Sequence, residues 1–222
     1  MSKSYENAVM MSKEFEEGRI EVVDSQNLSS GIGLVVLKAI ELYIVNGYNN
    51  VSITDLQAHL DIGRGTLYYY FKSKEELFMT VLDQFILTPK LEVLNLPDNV
   101  KLQDMINAML KYIHSLESTL EHFENKNVNT SNVVSLLFTA YQLFPSLYRK
   151  ASRIYALEVS LWNKAIRNSI NSKEVRADIP IETVVNLFMH IKDGYDVGRK
   201  GVTMDFSIYP KQYNFLYDLI KA

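Results

Sequence analysis

The stretch Asp61 to Phe71, DIGRGTLYYYF, concentrates the chemistry of this chain. Arg64 can meet guanine O6 and N7 with two parallel hydrogen bonds. Tyr68, Tyr69 and Tyr70 offer flat rings for thymine methyls or sugars and hydroxyls for phosphate oxygens. The two glycines raise a second reading, a loop that cradles phosphate for an enzyme. Spacing decides against it, because Gly63-Arg64-Gly65-Thr66 fits neither G-x-x-x-x-G-K-[ST] nor G-x-G-x-x-G, and a two-turn amphipathic helix rather than a strand precedes it. On a 3.6-residue wheel with Leu67 and Phe71 inward, Gly65, Thr66 and Tyr69 face outward and Tyr68 and Tyr70 lie on the flanks. Arg64 falls nearer the inward side, but from the first helical turn its side chain can swing out. Exposed aromatics are costly as idle surface, which favours a contact face. The plainer alternative makes the tyrosines packing residues and Arg64 a solvated charge.

Charge agrees with the contact reading. From Ile62 to Lys74 the ionisable side chains other than tyrosine are Arg64, Lys72 and Lys74, all positive, inside a window, 31–90, that otherwise nets negative. Lys74 opens a further helix, where an ammonium beside free backbone N–H groups could take a phosphate.

The elements that must hold these residues are legible as helices. A first helix is expected from Ile32 to Asn46, with Val35, Ala39, Leu42 and Tyr43 on one stripe and Gly47 as its left-handed cap. Ser52 and Asp55 make an S-x-x-D start, and Ile53, Leu56 and Leu60 share a face of a short second helix. Asp61 and Gly63 can both turn the chain tightly at positive φ, giving a helix-turn-helix. Ser73 with Glu76 reads as a capping box for a fourth helix that carries Leu77, Val81 and Phe85 until Pro89 interrupts.

Residues 78–222 read as longer amphipathic helices. One stripe joins Leu102, Met105, Met109, Ile113, Leu116 and Leu120; a short apolar helix covers Val133 to Phe144; a long one after Pro145 aligns Leu147, Ala151, Ile154, Glu158, Leu161 and Ala165. At the end, Ile181, Val184, Val185, Phe188, Ile191 and Tyr195 align on one helix, and Tyr213, Leu216, Tyr217 and Ile220 on the last. Two such stripes could pair with the same two of a second copy in a four-helix interface, making the chain a homodimer.

Composition bounds the rest. The chain has 222 residues, no cysteine and a net charge of -3, which removes disulfide scaffolds and thiolate zinc sites, fits a cytoplasmic setting and gives no global attraction to polyanions. Neither a signal-peptide core nor an apolar run of about 20 residues occurs, so no membrane partner is expected. Residues 1–30 are acidic and polar and read as an extension. Enzyme signatures such as G-x-S-x-G and H-E-x-x-H are missing, no cofactor is implied, and His114 with Glu117, though spaced for a metal pair, reads as a surface contact.

The run AIELYIVNGYNNVSITDLQAHLDIGRGTLYYYFKSKEELFMTVL, Ala39 to Leu82, resembles the DNA-binding domain of the tetracycline-repressor (TetR) family of bacterial transcription regulators. It carries GY before the second helix, S-I-x-D-L opening it, and G-T-L-Y-x-Y-F-x-S-K-E-x-L across helices three and four. The resemblance implies an all-α protein: a three-helix DNA-binding head at 31–77, then a helical effector-binding and dimerisation domain at 78–222. Two heads would read double-stranded, palindromic operator DNA from major grooves about 34–36 Å apart. By similarity Ser52 and Thr54 would touch backbone or a base, Arg64, Gly65, Thr66 and Tyr69 would face base edges, and Tyr68, Tyr70 and Lys74 would bond phosphates. Repression relieved by a small-molecule effector is the family's usual mode.

Two departures are visible. Asp61, Ile62 and Gly63 stand where relatives have Gly, Val and Ser or Thr, so the recognition helix lacks its hydroxyl N-cap, at a cost of a few tenths of a kcal/mol or about that. SSGIGLVV replaces basic residues at the start of helix one, so a shallower salt dependence is expected. For the effector, the aromatic and methionine-rich middle helices suggest a pocket with Met109, Tyr141, Tyr155, Glu158 and Trp162, for an apolar or cationic molecule, although such stripes are more often plain core. The rival function is a helical protein-interaction module indifferent to DNA.

Overall fold

In the computed structural model the described residues are 31–123, 125, 127–198 and 205–222, so the expectation for residues 1–30 lies outside them. The described residues form helices, and one isolated bridge pairs Val175 with Lys221. The head comprises α1 (Gly31–Asn46), α2 (Ile53–Leu60) and α3 (Arg64–Tyr70), closed by the start of α4 (Lys74–Leu82). The body comprises α5 (Thr88–Val93), α6 (Leu102–Glu121), α7 (Thr130–Leu143), α8 (Pro145–Asn171), α9 (Ile181–Gly198) and α10 (Ile208–Ile220). This is the all-α, two-part architecture expected, and one apolar cluster runs through it from Val35 to Ile220.

Local chemistry sets the head. Gly47 takes φ 75° after α1 and its N–H donates to the Tyr43 carbonyl at 2.8 Å. The Ser52 and Asp55 box is complete: the Asp55 N–H donates to Ser52 Oγ, and the Ser52 N–H donates to Asp55 Oδ2. The turn that follows rests on Asp61 alone, at φ 54°, while Gly63 is an extended N-cap at φ -67° with no side-chain cap bond. Glycine is thus used there for want of a hydroxyl and not for a positive φ. At α4 the Ser73 hydroxyl accepts from the Glu76 N–H, but Glu76 Oε2 accepts from the Lys72 N–H and not from Ser73, so the expected box is half formed.

Pro89 does not end the fourth helix. A π turn over Asp83–Leu87 joins α4 directly to α5, and Pro89 sits in the first turn of α5. The wider turn, in which the Thr88 N–H reaches the Asp83 carbonyl, accommodates a residue without an N–H inside a continuous rod.

The terminal stripes are also corrected. Val184, Val185, Phe188, Tyr213 and Ile220 are buried inside the chain, and Ile181, Ile191, Leu216 and Tyr217 pack partly buried on the same core. The Trp162 ring of α8 stacks on Phe188 at 4.6 Å and on Tyr213 at 6.0 Å. The five buried residues pack within the chain and are not free for a second copy; the Tyr195 side chain lies outside the described residues. Among the described residues of these two helices, the large apolar side chains left exposed are Leu187 on α9 and Phe215 and Leu219 on α10.

Candidate nucleic-acid interface and central cavity

α3 is pinned by Leu67 and Phe71, both buried, and this one anchor fixes which way the rest of the helix faces. Arg64, Gly65, Thr66 and Tyr68 are exposed, Tyr69 is 83% exposed, and Tyr70 is half-buried at the flank. The Arg64 guanidinium lies 5.6 Å from the Tyr68 ring centroid, and Tyr69 meets Tyr70 edge to face at 5.2 Å. A guanidinium stacked on a tyrosine keeps its planar donor edge oriented, an arrangement suited to a flat acceptor pair. Ser52 and Thr54, at the start of α2, are exposed too. Ser52 Oγ donates its proton to Asp55 Oδ2 at 2.6 Å, so it offers an outside partner a lone pair and not a proton unless the cap opens.

Lys74 is placed differently from the phosphate site expected. Its Nζ donates to the Tyr48 carbonyl at 2.9 Å and the Val51 carbonyl at 2.8 Å and lies 4.1 Å from the Tyr48 ring centroid. The ammonium therefore staples α4 to the loop between α1 and α2 and so sets where Ser52 and Thr54 stand relative to α3. Tyr48 completes the clamp by donating from its hydroxyl to Glu75 Oε1 at 3.1 Å; burial first, then that bond and repulsion from Glu75, push its phenol up to about 12. Burial likewise raises the Tyr43 phenol far above the ordinary value.

Below the clamp, Tyr43, Tyr48, Phe78 and Phe144 form an aromatic cluster, with Tyr48 on Phe78 at 4.5 Å and on Phe144 at 5.3 Å. Phe144 stands at the corner between α7 and α8, so the cluster ties the head to the body.

That body contains a cavity of about 560 Å³ between α1, the π turn with α5, α6, α7 and α8. Of the residues expected there, Tyr141 and Tyr155 line this cavity. Met109 and Trp162 do not; both are fully buried in the core elsewhere. Glu158 does not line it either: it is buried behind the wall and bridged to Lys90, which satisfies the acid on the apolar stripe without any ligand. Sequence reasoning missed Lys90 and Lys192, which line the cavity, together with Phe85 and Ile86 of the π turn. Lys90 follows Ile86 at the i, i+4 spacing of a lining face, a signal hidden by taking Pro89 as the end of the helix. His114 contacts Glu117 at 3.3 Å on an exposed face, and among the described residues no group of three metal-ligating side chains occurs.

Residues 36–81 match the model of the bacterial regulatory proteins of the tetR family. Over 43 residues the chain is 42% identical to the HTH-type transcriptional regulator QacR of Staphylococcus aureus, covering 19% of this chain and 23% of that protein. Over 52 residues it is 33% identical to the uncharacterized HTH-type transcriptional regulator YuxN of Bacillus subtilis, covering 23% of this chain and 18% of that one. The match thus spans about a fifth of these curated relatives. The fold match is broader: the ketosteroid transcriptional regulator KstR2 of Mycobacterium tuberculosis aligns with TM-score 0.58 at 17% identity over 86% of this chain and 94% of that chain.

Proposed function

We propose, from the match of residues 36–81 to the tetR-family model and the fold shared by the rest of the chain, that this TetR-like protein is a sequence-specific, DNA-binding transcriptional regulator. The observation that carries the reading is the outward face of α3: Arg64, Gly65, Thr66, Tyr68 and Tyr69 stand exposed together on a helix held from behind by Leu67 and Phe71. A face of this composition has a use against base edges and phosphates and a cost in water.

Two copies act as a homodimer in the cytoplasm on a palindromic operator, and the protein is a repressor released by a small-molecule effector. The head, 31–77, reads the duplex; the body, 78–222, holds the effector and the partner. Pairing runs across the outward faces of α9 and α10, where Leu187, Phe215 and Leu219 are exposed. The cavity supports the effector, and the rod from the π turn through α5 gives it a lever, since the helix that lines the cavity is continuous with the one whose first residue, Lys74, clamps the head. A ligand need favour one head spacing by only about 1–3 kcal/mol to act as a switch.

The test is a gel shift with DNA from upstream of the protein's own gene. Wild type should retard it with a single sharp complex, Arg64→Ala and Tyr69→Ala should each weaken binding by about tenfold or more, and a scrambled duplex should compete poorly. Equal weak retention of every duplex would instead favour the interaction-module reading.

A further inference from the structure

Resting on the reading of the cavity as an effector site, we infer that its ligand is an uncharged aromatic molecule with a single neutral oxygen, of the phenol or aryl alcohol class, and that ions of either sign are poor guests. The cavity, about 560 Å³, is of the size that encloses a drug-sized molecule. Rings enter its wall from four elements: Phe85 from the π turn, Tyr112 from α6, Phe138 and Tyr141 from α7, and Tyr148 and Tyr155 from α8. Tyr141 and Tyr148 already meet edge to face with centroids 6.1 Å apart, and a flat guest extends that pairing in a way an aliphatic chain does not. Phe138, Tyr148 and Tyr155 are about half exposed while lining the cavity, so they stand at its mouth, where bare rings are costly until a guest covers them.

The polar groups of the lining favour a neutral head. Among the described residues no carboxylate lines the cavity. Lys90 is bridged to the buried Glu158, and Lys192 is engaged as well, so neither ammonium waits for a guest to pair it. An anion would have to draw Lys90 from Glu158, and a cation would have to take Glu158 from Lys90. Either exchange leaves a buried charge without its partner. Hydroxyls both donate and accept without carrying charge, and Thr130, Tyr148, Ser152 and Tyr155 supply them to the lining. Tyr148, Ser152 and Tyr155 are exposed, so the guest's oxygen sits at the mouth, and its rings run inward to the buried Ile40 and Ile44 of α1.

The experiment uses the full-length protein at neutral pH and four probes titrated by calorimetry: naphthol, naphthoate, (naphthylmethyl)trimethylammonium, and decanol, which matches naphthol in carbon count and hydroxyl but has no ring. Naphthol should bind about tenfold or more tighter than either ion and than decanol. Tyr155→Ala, at the mouth, should lower naphthol affinity about fivefold and leave decanol within about twofold. Leu116→Trp, which fills part of the cavity, should abolish naphthol binding with helix content unchanged; naphthol retained by that variant places its site elsewhere and overturns the inference. An ion that binds as tightly as naphthol, decanol that does so, or no binding of any probe overturns the ligand class. Operator binding is measured on the same preparations with and without naphthol. Protein that binds its DNA but shows no preference for naphthol refutes the ligand class alone. Protein that prefers naphthol yet ignores DNA upholds the ligand class and refutes the regulator reading, and naphthol that binds without changing operator affinity upholds the ligand class and refutes the effector reading.

Discussion

Gly65→Ala separates what the fold requires from what a docked duplex requires. Gly65 is exposed in the first turn of α3, and a Cβ built on it meets no atom within 4 Å. The free protein therefore has room for the methyl group without backbone strain. Alanine is favoured over glycine inside a helix by up to about 1 kcal/mol, which in a chain of this size raises Tm by about 2–4 °C. On the operator the sign reverses. With Gly65 against base edges, the methyl must push α3 back from the groove or displace a neighbour, and overpacking of a closed contact costs about 1–3 kcal/mol. At about 1.4 kcal/mol per factor of ten, Kd for the operator should weaken by roughly 5- to 150-fold. Thermal unfolding followed by circular dichroism gives the first quantity. Fluorescence anisotropy with labelled operator gives the second, at one fixed ionic strength because phosphate contacts make affinity salt-dependent. A scrambled duplex should bind wild type and variant alike. Opposite signs in the two assays are the signature of the proposed interface. A raised Tm with an operator Kd within about twofold of wild type would refute the docking of this face, and a lowered Tm would show that the fold itself demands the glycine.

Lys74→Met removes two charged hydrogen bonds, at 2.9 and 2.8 Å, from the loop before α2, and in this half-buried setting should cost about 1–2 kcal/mol in urea unfolding. The slope of log Kd against log salt should change by less than one phosphate contact. Asp55 supplies a pH test: the Ser52 hydroxyl, then the Ser52 N–H, hold its carboxyl below the ordinary value of 3.8. Its contribution to stability is therefore complete above pH 3.8 and is lost as pH falls through the lower folded value, so the stability gap between wild type and Asp55→Asn should stay level from neutrality down and then narrow in acid. A gap independent of pH would remove the carboxylate from the cap. Phe215→Glu, on the exposed face of α10, should convert the proposed dimer to a monomer in light scattering with helix content unchanged, while a dimer that survives the change would move the proposed interface elsewhere.

The head was legible because its determinants are close in sequence. Leu67 and Phe71 recur at i, i+4, and the wheel they define places Gly65, Thr66 and Tyr69 where they are found exposed. Ser52 with Asp55, and Gly47 after α1, act within one turn of themselves. Lys74 was misplaced because its partners, the carbonyls of Tyr48 and Val51, lie 26 and 23 residues away. Glu158 suggested a cationic ligand because an acid on an apolar stripe needs a counter-charge, and nothing near it in sequence named Lys90, which comes from another helix.

By itself the sequence determined the helices, their caps, the residues on the exposed side of α3 and the family of the head. Those follow from 3.6-residue periodicity and from hydrogen bonds that close within a few residues. Only the tertiary structure decided that the buried residues of the terminal stripes pack within the chain, that Lys74 clamps a loop, that a π turn carries the fourth helix past Pro89, and that a cavity opens where Lys90 and Lys192 meet apolar walls. An amphipathic pattern states that a face must be covered and not by what. The choice of cover is made when distant segments pack, where the volume each leaves unfilled depends on all the others at once.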